Sequence, residues 1–174
     1  INSSATEKLF VLNMLNSPDL NSLIMQCNFI SVEVQFNTQN FEKIYEMLVN
    51  KKRNNMVFQI GIFIDEKEFT SSYFNGKTAI NSVTFSPSVK IINTGGLFKS
   101  GSFVACSNLT SVKLSSSLEL IGDNTFSECS SLTEIKIPAS VTRICSYVFN
   151  KCTALKRVIF EANSSLKDIG GFAF

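Results

Sequence analysis

The sequence predicts an α/β solenoid: short parallel strands stacked coil upon coil, behind a cap of helices and one strand. Three observations predict it. Residues 106–174 divide into three blocks of 23 residues, and the first two match without a gap. Apolar residues recur at fixed columns of that block: Cys106, Cys129 and Cys152 at the first, Leu109, Leu132 and Leu155 at the fourth. Columns seven and nine hold Val112/Leu114, Ile135/Ile137 and Val158/Phe160, and the alternation about column eight is that of a strand with one buried face. So short a strand cannot stand alone. Parallel copies stacked about 4.8 Å apart bury one another's inner face.

The cap is predicted over residues 1–53. Residues 4–27 read as two short helices: Ser4 and Glu7 form a capping box, with Leu9, Leu12 and Leu15 on one face. Ser17-Pro18-Asp19 starts the second, with Leu20, Leu23, Ile24 and Cys27 as its stripe. Residues 29–36 alternate as a strand, with Ile30, Val32, Val34 and Phe36 on one side. Phe41, Ile44, Tyr45 and Leu48 return to helical spacing, closed by Lys51-Lys52-Arg53 at the negative helix end. A solenoid needs such a cap to cover its terminal coil. The competing reading makes 1–53 part of a separate helical domain.

The coils follow. Column thirteen holds Leu118 and Val141, and column sixteen Ile121 and Ile144. The third block has Ser164 and Lys167 there, and a two-residue slip restores Leu166 and Ile169. An aromatic then always follows five positions after the isoleucine: Phe126, Phe149, Phe174. Backward from Cys106, a longer copy runs through Ile80, Val83, Phe85, Val89, Ile92 and Phe103, with six extra residues within 93–101. Before it, Val57, Ile60, Ile62, Phe69 and Phe74 take the roles of Leu132, Ile135, Ile137, Ile144 and Phe149. Five repeats result: 54–76, 77–105, 106–128, 129–151 and 152–174, with strand cores near 58–62, 81–85, 110–114, 133–137 and 156–160.

The pattern C-x-x-L-x-x-I-x-I-P-x-S-V-x-x-I-x-x-x-x-F, fitted by residues 129–149, resembles the BspA-like class of leucine-rich repeats. Residues 169–174 are similar to that family's I-G-x-x-A-F ending. Leu118 and Ser115 stand where the pattern has valine and proline, and the slip in the last copy is a further departure. The resemblance implies a right-handed leucine-rich-repeat solenoid used for binding, often on cell surfaces. It implies no shared catalytic residues.

Composition narrows the function classes. A net charge of +2, with no basic run longer than three residues, gives no case for nucleic acid. No apolar run approaches the roughly 20 residues of a membrane helix. Without His or a C-x-x-C, zinc is not expected, and the usual nucleophile–base pair is missing. No enzyme activity, cofactor or metal is therefore expected. Cys27, Cys106, Cys129, Cys145 and Cys152 are odd in number, so they are not a disulfide framework; the repeat cysteines read as a buried column. One disulfide between neighbouring coils stays open as the alternative. The start at Ile1 reads as a fragment or a processed product, and the fifth copy ends with more coils or a partner expected to cover it.

Two surfaces are candidates for partner binding. The outward sheet face carries Gly61, Thr84, Lys113, Lys136 and Ile159 at column eight. Gln59, Ser82, Ser111, Glu134 and Arg157 flank it at column six, with Phe63, Ser86, Ser115, Pro138 and Glu161 at column ten. The second surface is the insertion, where Leu97 and Phe98 sit among Gly95, Gly96 and Gly101. Each has a plainer reading, as a solvated sheet face and as a bulge packed on its own coil. The acceptor patterns at Asn2, Asn108 and Asn163 have meaning only in a secreted protein. The expected role is recognition of a protein or other extracellular ligand, with an intracellular structural scaffold as the alternative. A surface or secreted location is favoured over the cytoplasm.

Overall fold

The computed structural model describes residues 9–12, 29–35, 45, 46, 49, 57–70, 72–93 and 101–174. These form a parallel-sheet β-solenoid with almost no helix. The strands, in chain order, are β1 (Leu9–Leu12), β2 (Phe29–Gln35), β3 (Val57–Ile64), β4 (Glu68–Phe69), β5 (Ile80–Phe85) and β6 (Ile91–Ile92). They continue as β7 (Ser111–Lys113), β8 (Leu120–Ile121), β9 (Glu134–Ile137), β10 (Arg143–Ile144), β11 (Arg157–Phe160) and β12 (Asp168–Ile169).

Two parallel ladders line the coil. The long one runs β1-β2-β3-β5-β7 and resumes as the pair β9–β11. The second, of two-residue strands, runs β4-β6-β8-β10-β12. The remaining side is closed by backbone bonds between successive turns: Phe103 N to Thr125 O (2.8 Å), Phe126 N to Val148 O (2.9 Å) and Phe149 N to Ala173 O (2.7 Å). Every coil therefore lends its polar backbone to the next, which is what lets such short strands persist.

The core is the set of inward columns, repeated. Phe74, Phe103, Phe126, Phe149 and Phe174 stack ring on ring, with centroids 4.8, 5.5, 5.7 and 5.4 Å apart and planes within 15°. Such contacts add about 0.5–1.5 kcal/mol per pair beyond the burial of each ring. Beside them lies the cysteine column. Each thiol donates to the carbonyl of a phenylalanine in the preceding coil: Cys106 to Phe74 O (3.0 Å), Cys129 to Phe103 O (3.2 Å) and Cys152 to Phe126 O (3.1 Å). These cysteines are small apolar fillers and also cross-coil donors, a role spacing alone did not show.

The register confirms the slip and the insertion. Arg143 pairs with Leu120, but Asp168 pairs with Arg143, so the step rises from 23 to 25 residues in the last coil. Ser82 pairs with Ser111 and Ile92 with Ile121, steps of 29 that place the extra residues between Ile92 and Phe103. Residues 94–100 of that insertion, with Leu97 and Phe98, lie outside the described residues.

Two expectations are corrected. Leu9–Leu12, expected within a helix, is strand β1, paired in parallel with β2 from Leu9/Ser31 to Leu12/Val34. Leu9-Phe10-Val11-Leu12 is a continuous apolar run, and periodicity alone cannot tell helix from strand in such a run. Pairing along the sheet outweighs the capping signal. The second expected helix lies outside the described residues; of the third, Tyr45, Glu46 and Val49 have helical backbone. In the first coil the inward pair is Ile62/Ile64, not Ile60/Ile62. A register shift between Ile60 and Gly61 sets Ile62 against Val83 and Ile64 against Phe85. Phe63, not Gly61, is then the partner of Thr84.

Candidate binding face of the long sheet

Strand alternation decides what the outward face displays. Val83, Phe85, Ile135 and Ile137 are buried, while Thr84 is half-buried and Lys113, Lys136 and Ile159 are exposed. The face thus presents Phe63, Thr84, Lys113, Lys136 and Ile159 in a row, as the sequence predicts except at the first position. Glu134 and Arg157 of the flanking column form an ion pair across β9 and β11. Lys136 Nζ lies 3.5 Å from Glu161 Oε1. Lys113 has no ion pair among the described residues.

A groove of about 570 Å³ opens on this face, walled by Phe63, Pro87, Val112 and Pro138, with Lys113 and Lys136 at its rim. It lies over a seam. The ladder that joins β5 to β7 and β9 to β11 is interrupted between β7 and β9. Pro138 accounts for one missing bond. In other coils the corresponding amide donates back across the ladder, as Ser86 N does to Ile64 O (2.8 Å) and Glu161 N to Ile137 O (3.0 Å). Proline has no N–H to give to Leu114 O. Val112, inward by column, is only half-buried here.

At the groove's upper end, Asp65 Oδ1 accepts hydrogen bonds from the hydroxyls of Ser86 and Ser88. These bonds, Ser86 first, hold the exposed Asp65 carboxyl below its ordinary range. The carboxylate fixes the turn after β5 by joining it to the turn after β3.

The described thiols are held in their protonated form. Burial pushes Cys106 up to about 12 and Cys152 up to about 11, and raises Cys129 further still. Burial also raises Cys145. The thiolate is the reactive form, and burial disfavours it at each of these positions. All four are free thiols. Among the described residues no three of His, Cys, Asp and Glu gather as metal ligands, and no helix is long and apolar enough to cross a membrane.

Column spacing found Thr84, Glu134, Lys136, Arg157, Ile159 and Lys113, which the structure brings onto one face. It set Phe63 in the flanking column ten and not in the row with Thr84, and it missed the seam. The available signal was Pro138, an amino acid without a donor at a ladder position.

Residues 67–174 match the family model described as "BspA type Leucine rich repeat region (6 copies)". Among solved structures, the chain is similar to a T. pallidum leucine-rich repeat protein at 22% identity and a TM-score of 0.53, covering 84% of this chain and 57% of that one. The chain therefore spans little more than half of that protein's length, and the likeness is one of fold. A Bacteroides ovatus leucine-rich repeat protein matches at 18% identity and TM-score 0.48, over 83% of this chain and 45% of its own. A leucine-rich cell surface protein from Faecalibacterium prausnitzii matches at 25% identity and TM-score 0.39, over 59% and 32%. No curated protein matches the chain.

Proposed function

This chain belongs to the BspA-type leucine-rich-repeat family, and from that premise we propose that it is a non-enzymatic binding module that recognises a protein or other extracellular ligand through the outward face of its long sheet. Leucine-rich repeats are generally protein-interaction modules. The observation that carries the reading is the outward row of half-buried Thr84 and exposed Lys113, Lys136 and Ile159 beside a groove of about 570 Å³, flanked by Glu134 and Arg157. Leu97 and Phe98 of the insertion belong to the same proposal as a second contact. So do the right-handed coil and a cap formed by residues 1–53 ahead of five repeats. A surface or secreted location fits a recognition role.

The test uses a phage-displayed library of random ten-residue peptides selected on the protein. Selected peptides are expected to lose binding to Thr84→Glu/Ile159→Glu, which crowds the face with carboxylates. They should keep binding to Lys90→Glu/Arg143→Glu on the second ladder. Sensitivity only at the second ladder, or no selected peptide, overturns the reading.

The alternative is an intracellular scaffold whose repeats position other domains. The observation favouring it is that the column thiols donate to carbonyls as free S–H groups. Alkylation of denatured protein from its native source, without reductant, separates the two. Five modified thiols favour the scaffold, and fewer favour an oxidising compartment.

A further inference from the structure

We infer that the groove over the β7/β9 seam takes an extended acidic peptide, seating an apolar side chain among its apolar walls and a carboxylate two positions along on Lys113, beside Lys136. This rests on the reading of the sheet face as the binding surface and names the partner's chemistry.

Charge supplies the first argument. Adjacent coils elsewhere set opposite charges against each other: Lys90 with Glu119 at 2.7 Å, Glu128 with Lys151 at 2.7 Å and Arg143 with Asp168 at 2.9 Å. Column eight breaks the habit, placing Lys113 and Lys136 at equivalent positions of successive coils. Like charges on adjacent coils repel. Glu161 compensates only Lys136, and only at 3.5 Å. One positive charge is left for a ligand anion to meet.

Shape supplies the second. Pro87, Val112 and Pro138 give the lining apolar walls, and Thr84, Ser86, Ser116 and Glu161 supply its polar part. A bare anion, or a uniformly charged polysaccharide, would leave those walls without a partner. A peptide with an acidic residue two positions from an apolar one meets both, since an extended chain places neighbouring side chains on opposite sides and next-nearest ones on the same side. The interrupted ladder adds a third point: with no bond from Pro138, the two strand edges at the groove floor are not tied together there.

The same selected phage pool decides the matter, now read by sequence and by Lys113→Glu/Lys136→Glu. The expected result is enrichment of Asp or Glu two positions from an aromatic or branched apolar residue. Synthetic peptides of that kind should lose about tenfold or more in affinity for the double variant. Replacing either their acids by amides or their apolar residue by Ala should also weaken them. Peptides of other composition, or binding indifferent to the two lysines yet sensitive to Thr84→Glu/Ile159→Glu, overturn this inference and leave the sheet-face reading standing. Heparin binding as tightly as the peptides, with no need of an apolar group, overturns it as well. Failure to select any peptide overturns both.

Discussion

The inside of the coil and its outward face follow opposite rules. Inside, a residue's neighbour is its own counterpart one coil away, so what fits once fits again: Phe103, Phe126 and Phe149 stack at nearly constant spacing, and Cys106, Cys129 and Cys152 each reach a phenylalanine carbonyl. Outside, all but one adjacent pair of counterparts differ: Phe63, Thr84, Lys113, Lys136, Ile159. The repeat is a stability device, and the outward side chains are not held to it. The interior should therefore respond strongly to small changes, and the face weakly, in stability.

The largest effect is expected at the middle of the aromatic stack. Phe126→Ala removes a fully buried ring touching Phe103 and Phe149 and should cost about 3–5 kcal/mol in denaturant unfolding. Phe174→Ala, on the same column but half-exposed, should cost about 1 kcal/mol. Equal losses at the two positions would mean that burial by a neighbouring coil is not what gives the column its strength.

Next comes the closest backbone approach between coils. A Cβ on Gly122 would stand 1.3 Å from the Asn93 carbonyl oxygen. Gly122→Ala must push two coils apart and should cost about 2–3 kcal/mol. Thermal unfolding with no shift would show that the coils tolerate separation at this corner.

The cysteine column is subtler. Cys129→Ala leaves Phe103 O without its donor and opens a small void, at about 1–2 kcal/mol. Its titration gives a second measurement. An unfolded thiol titrates near 9.0, whereas Cys152 and Cys106 are held neutral up to about 11 and about 12. The folded state keeps its proton where the unfolded state has lost it. The stability these groups contribute is therefore full below pH 9 and declines as pH rises toward those folded values. Urea midpoints that stay level from pH 8 to 10.5 would show that the thiols are not held in this way.

How much of this was legible follows from the same contrast. The repeats from residue 77 onward could be read because identical neighbours impose identical residues, and β5, β7, β9 and β11 fall on the predicted cores. The first coil was misplaced by two residues because Ile60, Ile62 and Ile64 satisfy the alternation in either register. What decides is the turn to Phe69, five residues from Ile64, against seven from Phe85 to Ile92 or Ile137 to Ile144. The turn before each column cysteine was hidden for another reason. Ala105, Glu128 and Lys151 have φ of 58°, 64° and 58°, left-handed backbone without a glycine to mark it. Ala105 N and Glu128 N bond the next coil at 2.9 and 2.8 Å, which offsets the cost. On the face, column spacing identified the exposed side chains but not the groove, because a gap in a hydrogen-bond ladder is a property of two coils together.

The smallest effect on stability belongs to that gap. Pro138→Ala restores an amide where Ser86 N and Glu161 N make their ladder bonds, opposite Leu114 O. A net hydrogen bond adds about 1 kcal/mol, and losing the proline's restriction of the unfolded chain removes about as much. Global stability should change by less than about 1 kcal/mol. The local consequence should be plain in hydrogen exchange. The new amide at position 138 becomes protected, β7 and β9 close, and the groove narrows, so peptides held by Lys113 and Lys136 bind more weakly. An amide at 138 that exchanges as fast as an open loop would show that proline is not what parts these strands. The seam would then owe its width to the paired lysines, and Lys136→Glu should close it instead.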